Sequence, residues 1–109
     1  MAHRIVNILS DKQATDIVLL DTQGVCSFTD YFIICSGESM RQVKALVDAV
    51  TESLKEENIL PLHEEGTGDS GWVLLDYGAV IVHVFGSTAR DYYQLEKLWE
   101  NACTKVRVP

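Results

Sequence analysis

The sequence has no apolar run of the roughly 18 residues that a membrane-spanning helix requires. Its start, MAHRIVNILS, lacks the long apolar centre and small-residue cleavage site of a secretory signal, and it is too poor in Arg and Ser for an organelle transit peptide. We therefore expect a cytoplasmic protein without a membrane partner.

Basic residues are also scarce. There are 9 Lys and Arg against 16 Asp and Glu, for a formal net charge of −7. Nucleic acid is bound by neutralising its phosphates, so an acidic chain is a poor candidate for direct contact with it. A basic protein partner is favoured instead, although a negative charge also serves solubility alone.

Potential metal ligands are few and scattered. The 3 cysteines have no CxxC spacing, the 3 histidines lie far apart, and a structural zinc ion needs about four clustered ligands. The residues concerned are Cys26, Cys35, Cys103, His3, His63 and His83. We expect no metal site and no cofactor, and we interpret the cysteines as reduced thiols in or near the core.

The residues that are present indicate one domain spanning the whole chain, 1–109. The chain is 47% hydrophobic and 23% charged, which is ordinary for a globular protein. The apolar periodicity predicts helices over 2–14, 37–58 and 87–102, and strands over 16–21, 30–37, 61–66, 72–76 and 79–85. This order predicts an α/β fold, a mixed sheet of about five strands with flanking helices.

The stretch SGESMRQV allows two interpretations. Gly37 and Ser39 fall between a predicted strand and a predicted helix, where backbone donors could hold a phosphate, as in nucleotidyltransferases. Those enzymes also need paired carboxylates to hold metal ions. The later predicted strands offer Asp76 but no D-x-D pair. Glu64 and Glu65 are adjacent, so in a strand they point to opposite sides. The structural interpretation is a tight turn with a capping box from Ser39 to Gln42, which satisfies orphan donors. We favour the turn and cap, so an enzyme is the minority hypothesis.

The stretch GWVLLDYGAVIVHVF (71–85) predicts a β-hairpin. A two-residue turn at Tyr77 and Gly78 would pair Asp76 with Ala79, and Trp72 with His83. Since side chains alternate between faces, one face is predicted to be aliphatic core and carries Val73, Leu75, Val80, Val82 and Val84. The other face is predicted to carry Trp72, Leu74, Asp76, Ala79, Ile81, His83 and Phe85.

The role of that second face remains open at this level. A helix could cover it, leaving Trp72 and His83 at its margin. Alternatively, part of it could be a contact patch, because aromatic side chains bring a large area with few rotatable bonds to an interface. The same face could also belong to a pure dimerisation module.

Four segments occurring in order carry a family resemblance. DIVLLD, TDYFIICSGESMRQVKAL, GWVLLDYGAVIVHVF and ARDYYQLEKLW together resemble the ribosomal silencing factor family, also called the Iojap family, over roughly residues 3–100. The resemblance implies a nucleotidyltransferase-like α/β fold without known enzymatic activity. It also implies a bacterial or organellar factor that docks on ribosomal protein number fourteen of the large ribosomal subunit, blocks joining of the small subunit and represses translation in starvation or stationary phase. Some members form homodimers that must open to dock.

The resemblance also implies a docking patch on the hairpin and the C-terminal motif. The matching hairpin residues are Trp72 in GWVLLD, Asp76 and Gly78 at the turn, and His83 and Phe85 in VHVF. Tyr77, between Asp76 and Gly78, is expected in the same patch. The matching C-terminal residues are Arg90, Tyr93, Glu96 and Trp99.

Roles follow from residue type. Trp72 and Tyr93 would be apolar anchors, Asp76 and Glu96 would pair with Lys or Arg of the partner, and Arg90 would order the C-terminal helix. Trp99 is interpreted as core. Arg41 and Gln42 match the family's helix start, and Ala79 stands where the family has an acidic residue.

The alternative function is a nucleotide-binding or residual nucleotidyltransferase module.

Overall fold

A computed structural model describes residues 1–23, 29–67, 71–86 and 103–108. The helices are α1 (Ala2–Asp11) and α2 (Met40–Lys55). The strands are β1 (Thr15–Asp21), β2 (Tyr31–Gly37), β3 (His63–Thr67), β4 (Trp72–Asp76), β5 (Val80–Gly86) and β6 (Cys103–Val108). The predicted C-terminal helix over 87–102 lies outside the described residues.

The strands form one mixed sheet in the order β3-β4-β5-β2-β1-β6. The central pair, β2 and β5, is parallel, and every other described pair is antiparallel. The predicted α/β class with a mixed sheet is therefore confirmed. Strand β6, which pairs with β1 along one edge, was not predicted from the sequence.

Both described helices pack on one side of the sheet, here called the helix face. Its core contains the predicted aliphatic residues of the hairpin together with apolar residues of both helices. In α2 the buried positions recur at helical spacing and comprise Val43, Leu46, Val47, Val50 and Leu54. In α1 they comprise Ala2, Ile5, Val6 and Leu9. These stripes explain why the two amphipathic helices lie on the sheet.

The opposite side of the sheet, here called the far face, has a second apolar cluster. Its buried members are Val18, Leu20, Phe32, Ile34, Ile81 and Phe85. Trp72 and Leu74 pack against this cluster and are only partly buried. The far face is therefore core over its centre and more accessible toward β4.

The predicted faces of the hairpin are confirmed, but the predicted register is wrong by two residues. Trp72 pairs with Phe85, and Asp76 pairs with Ile81. The turn falls one residue later than predicted, because Gly78 takes up the left-handed conformation at φ 86° and the Tyr77 N–H donates to the Val80 carbonyl at 2.9 Å. A shift of two residues leaves every side chain on its predicted face.

The start of α2 supports the turn-and-cap interpretation. The Ser39 hydroxyl accepts a hydrogen bond from the Gln42 N–H at 3.1 Å, and Gln42 Oε1 accepts one from the Glu38 N–H at 2.6 Å. A Cβ atom on Gly37 would lie 3.1 Å from the Val43 side chain, so Gly37 allows the close approach of strand and helix. The helix ends at Lys55, before the predicted end near Asn58, since Asn58 is left-handed at φ 62°.

Gly66 in β3 generates a prediction about stability. It has φ 83°, and a Cβ atom there would lie 2.1 Å from the Trp72 carbonyl oxygen. We expect Gly66→Ala to lower the free energy of unfolding by about 2–3 kcal/mol, because both the backbone and the β3–β4 contact would be strained. Urea denaturation followed by circular dichroism measures this change.

Gly86→Ala is the matched control. The nearest atom to a Cβ there is the Gly71 carbonyl oxygen at 3.8 Å, an ordinary contact. Equal losses in the two variants would contradict the strain expected from a side chain at position 66.

Candidate docking surface

The accessible part of the far face lies on β3 and β4. Trp72, Leu74 and Asp76 alternate along β4 and are each partly exposed. Across the strand, Glu65 pairs with Leu74 and is exposed. His63 pairs with Asp76 and is exposed as well. Directly paired residues share a face, so these side chains form one patch, here called the docking surface: His63, Glu65, Trp72, Leu74 and Asp76.

Trp72 is held by two rings of β5. Its Nε1–H donates to His83 Nδ1 at 3.2 Å, and the two ring planes differ by 11°. The Phe85 ring lies 6.1 Å from the Trp72 ring, measured between centroids, with planes differing by 16°. One indole edge is thus fixed by a directed hydrogen bond and by aromatic contacts. The result is a partly exposed tryptophan with a defined orientation.

His83 is buried and neutral. Its exposed fraction is 7%, and burial lowers the pKa of His83 from its ordinary value of 6.5 to about 4. Because Nδ1 accepts the hydrogen bond from Trp72, the neutral ring carries its proton on Nε2. Phe32 packs on the same imidazole, with ring centroids 5.3 Å apart. His83 therefore supports Trp72 from below and offers little surface of its own.

Asp76 combines a structural bond with a partly exposed charge. Its Oδ1 accepts from the Gly78 N–H at 2.8 Å and so stabilises the hairpin turn. Its backbone carbonyl accepts from the Leu62 N–H at 2.7 Å. The side chain is thereby fixed at the end of the docking surface. Ala79, at the position where the resemblance implies an acid, is exposed in the same turn.

Tyr77 is separated from the other predicted residues. It belongs to the helix-face core, is 7% exposed, and its hydroxyl has no hydrogen-bond partner among the residues that the structure describes. Burial and the charge of Glu64 raise the pKa of Tyr77 above its ordinary value. Glu64 pairs with Leu75 on the helix face, whereas Glu65 lies on the far face, so the predicted divergence of these two carboxylates is confirmed.

The structure thus divides the predicted docking residues into groups. Trp72 and Asp76 are partly exposed on the docking surface, His83 and Phe85 are buried beneath Trp72, and Tyr77 lies on the opposite face. Three predicted residues, Arg90, Tyr93 and Glu96, lie outside the described residues, as does Trp99.

Sequence reasoning missed Glu65 as a member of this patch. Among the described residues, its carboxylate can accept a hydrogen bond from His63, whose Nε2 lies 2.8 Å from Glu65 Oε1. The alternation of β3 alone could have assigned Glu65 to one face. Its position beside Leu74 needed the β3–β4 register, which the sequence does not reveal.

The described residues carry neither a metal-ligand cluster nor a membrane-spanning helix. No three His, Cys, Asp or Glu side chains among them converge as metal ligands. None of the described helices has the length and apolarity needed to cross a membrane. Cys35, the one cysteine whose side chain is described, is a buried, reduced thiol outside any disulfide, as predicted.

Comparisons with known proteins identify close relatives. A family model described as "Ribosomal silencing factor during starvation" matches residues 1–109. The chain is 45% identical to the ribosomal silencing factor RsfS of Bacillus subtilis over 84% of this chain and 78% of that protein. It is 41% identical to the ribosomal silencing factor RsfS of Halalkalibacterium halodurans over 91% of this chain and 85% of that protein. A crystal structure of a Chromobacterium violaceum protein superposes with a TM-score of 0.84 at 38% identity, covering 92% of this chain and 87% of that chain.

The burial of His83 predicts a pH dependence of stability. Below its ordinary pKa of 6.5 the unfolded chain protonates this ring, whereas the folded protein does so only near pH 4. The unfolded state therefore binds more protons in this interval, and the free energy of unfolding falls as the pH falls. We expect His83 to account for a loss of about 2 kcal/mol between about pH 7 and about pH 5.

Urea denaturation at several pH values measures this loss. His83→Gln should remove it while leaving an oxygen that can accept from Trp72. An unchanged slope in His83→Gln would refute the assignment.

Proposed function

The chain belongs to the ribosomal silencing factor family, and from this premise we propose that it binds the large ribosomal subunit and blocks joining of the small subunit. The effect is repression of translation in starvation or stationary phase, in a bacterial cytoplasm. The protein acts by occupying a surface, so the proposal requires neither catalysis nor a cofactor.

The partner in this proposal is the basic ribosomal protein number fourteen. Two features support a basic protein over bare RNA: the net charge of −7 and the two carboxylates, Glu65 and Asp76, on the docking surface. Phosphates would be repelled by both features, whereas Lys and Arg side chains would be attracted.

The observation that carries the proposal is the geometry of Trp72. An interface anchor binds best when its conformation is already fixed, since ordering a side chain on binding costs free energy. Trp72 is partly exposed, and its orientation is set by the hydrogen bond to His83 and by Phe85. Glu65 and Asp76, which lie on the same surface as this anchor, could pair with basic residues of the partner, as in an apolar centre with a polar rim.

A subunit-joining assay tests the function as a whole. Purified small and large ribosomal subunits are mixed with and without the protein, and the joined fraction is read on a sucrose gradient. The expected result is a fall in joined ribosomes that requires only stoichiometric protein and no nucleotide. Undiminished joining at saturating protein would overturn the proposal.

Trp72→Ala tests the anchor. Removing a central aromatic side chain from an interface typically costs about 2–4 kcal/mol, so affinity for large subunits should fall at least about thirtyfold. Co-sedimentation with large subunits measures this loss. Met40→Ala is the control, because Met40 is a large apolar residue 58% exposed at the start of α2. Equal binding by both variants would contradict the role of Trp72.

Asp76→Asn tests the charge separately from the fold. An asparagine oxygen can still accept from the Gly78 N–H, so the turn should persist while the negative charge is lost. We expect affinity to fall by about three- to tenfold and to depend less on salt concentration. Binding measured at two salt concentrations checks both. An unchanged salt dependence would mean that Asp76 does not face a basic partner.

A further inference from the structure

Strand β3 forms one edge of the sheet. It pairs with β4 on one side, and no described strand pairs with its other side. The edge is accessible, since His63, Glu64, Glu65 and Gly66 are all exposed. An exposed edge offers a row of backbone donors and acceptors to any extended segment that can approach it.

Apolar residues accompany this edge. Leu60 and Leu62, which lead into β3, are 62% and 76% exposed, and they are among the few large apolar side chains exposed in the described part of the chain. Charged residues alone suffice to protect an edge from unwanted pairing. The exposed leucines before the strand add apolar contact area, which is not needed to protect the edge from unwanted pairing.

Carboxylates lie beside the edge on both faces. On the far face lies Glu65, whose Oε1 is 2.8 Å from His63 Nε2. On the helix face a groove of about 390 Å³ runs between α2 and the approach to β3. The groove is lined by Asp48, Thr51, Glu52, Lys55, Leu60, Pro61 and Glu64, so three carboxylates face one ammonium group.

This charge selects among occupants. A second copy of β3 would bring Glu64 and Glu65 close to the same residues of its partner, and like charges across strands are destabilising. An extended segment with Lys or Arg at alternating positions would place one set of basic side chains near the groove and the other set near Glu65, because strand side chains alternate between faces.

We propose that the β3 edge binds an extended, basic segment of the partner protein as an additional strand, with apolar residues of that segment on Leu60 and Leu62. This inference rests on the proposed function and assigns its mode of contact. The edge is continuous with the docking surface, because Glu65 belongs to both and pairs with Leu74. Backbone pairing would supply the alignment, and the carboxylates would select a basic sequence.

Hydrogen exchange tests the pairing. The protein is exchanged alone and bound to purified large ribosomal subunits, and backbone amides of 63–67 are compared with those of α2. Pairing of the edge should slow exchange in 63–67 by about tenfold or more, with little change in α2. Binding that leaves exchange in 63–67 unchanged would overturn the edge inference and leave the proposed function standing, whereas absence of binding would overturn both.

Glu64→Lys tests the charge, with Glu56→Lys as the matched control. Both residues are exposed glutamates, but only Glu64 lines the groove beside β3. Affinity for large subunits should fall by about tenfold in Glu64→Lys and by less than about twofold in Glu56→Lys. Equal losses would indicate a general charge effect and overturn the inference. Concentration-dependent protection of 63–67 without subunits would identify a second copy as the occupant and overturn it as well.

Discussion

Parallel pairing of β2 with β5 at the centre of the sheet is the constraint on which the rest of the structure depends. Both strands are buried along nearly their whole length, so their side chains on both faces must be apolar or hydrogen-bonded. The pairing places Ile34 beside His83 and Ser36 beside Phe85. It thereby fixes β5, and β5 in turn determines which residues of β4 reach the margin of the sheet.

The same constraint explains the one buried histidine of the far face. On β5 the side chain of His83 lies between Phe32 and Trp72, where an aliphatic residue could not accept the hydrogen bond from Trp72. Burying a neutral imidazole that accepts one directed bond costs less than burying a charged one. The lowered pKa of His83 thus follows from its burial at the position from which it orients Trp72.

Much of the fold could be predicted from the sequence because the spacing of apolar residues is a local property. It can be read without knowing which elements contact each other. The hairpin faces were correct although the register was not, since a shift of two residues preserves the face of each side chain. The turn position depended on which residue adopts the left-handed conformation, and Gly78 did so at the first turn position. Strand β6 and the place of Glu65 depend on pairing with β1 and β4, which a local pattern does not specify.

The docking surface and the β3 edge are mechanically linked. Strand β3 is bonded in the described sheet only to β4, and Gly66 allows the Trp72 carbonyl to approach closely at that junction. A segment paired with the outer side of β3 would restrict the motion of β3, whose one neighbour in the described sheet is β4. Since β3 borders the strand carrying Trp72, ordering it would also restrict the backbone beneath the anchor. Edge pairing and aromatic docking would therefore reinforce each other, and neither would require a rearrangement of the buried β2–β5 centre.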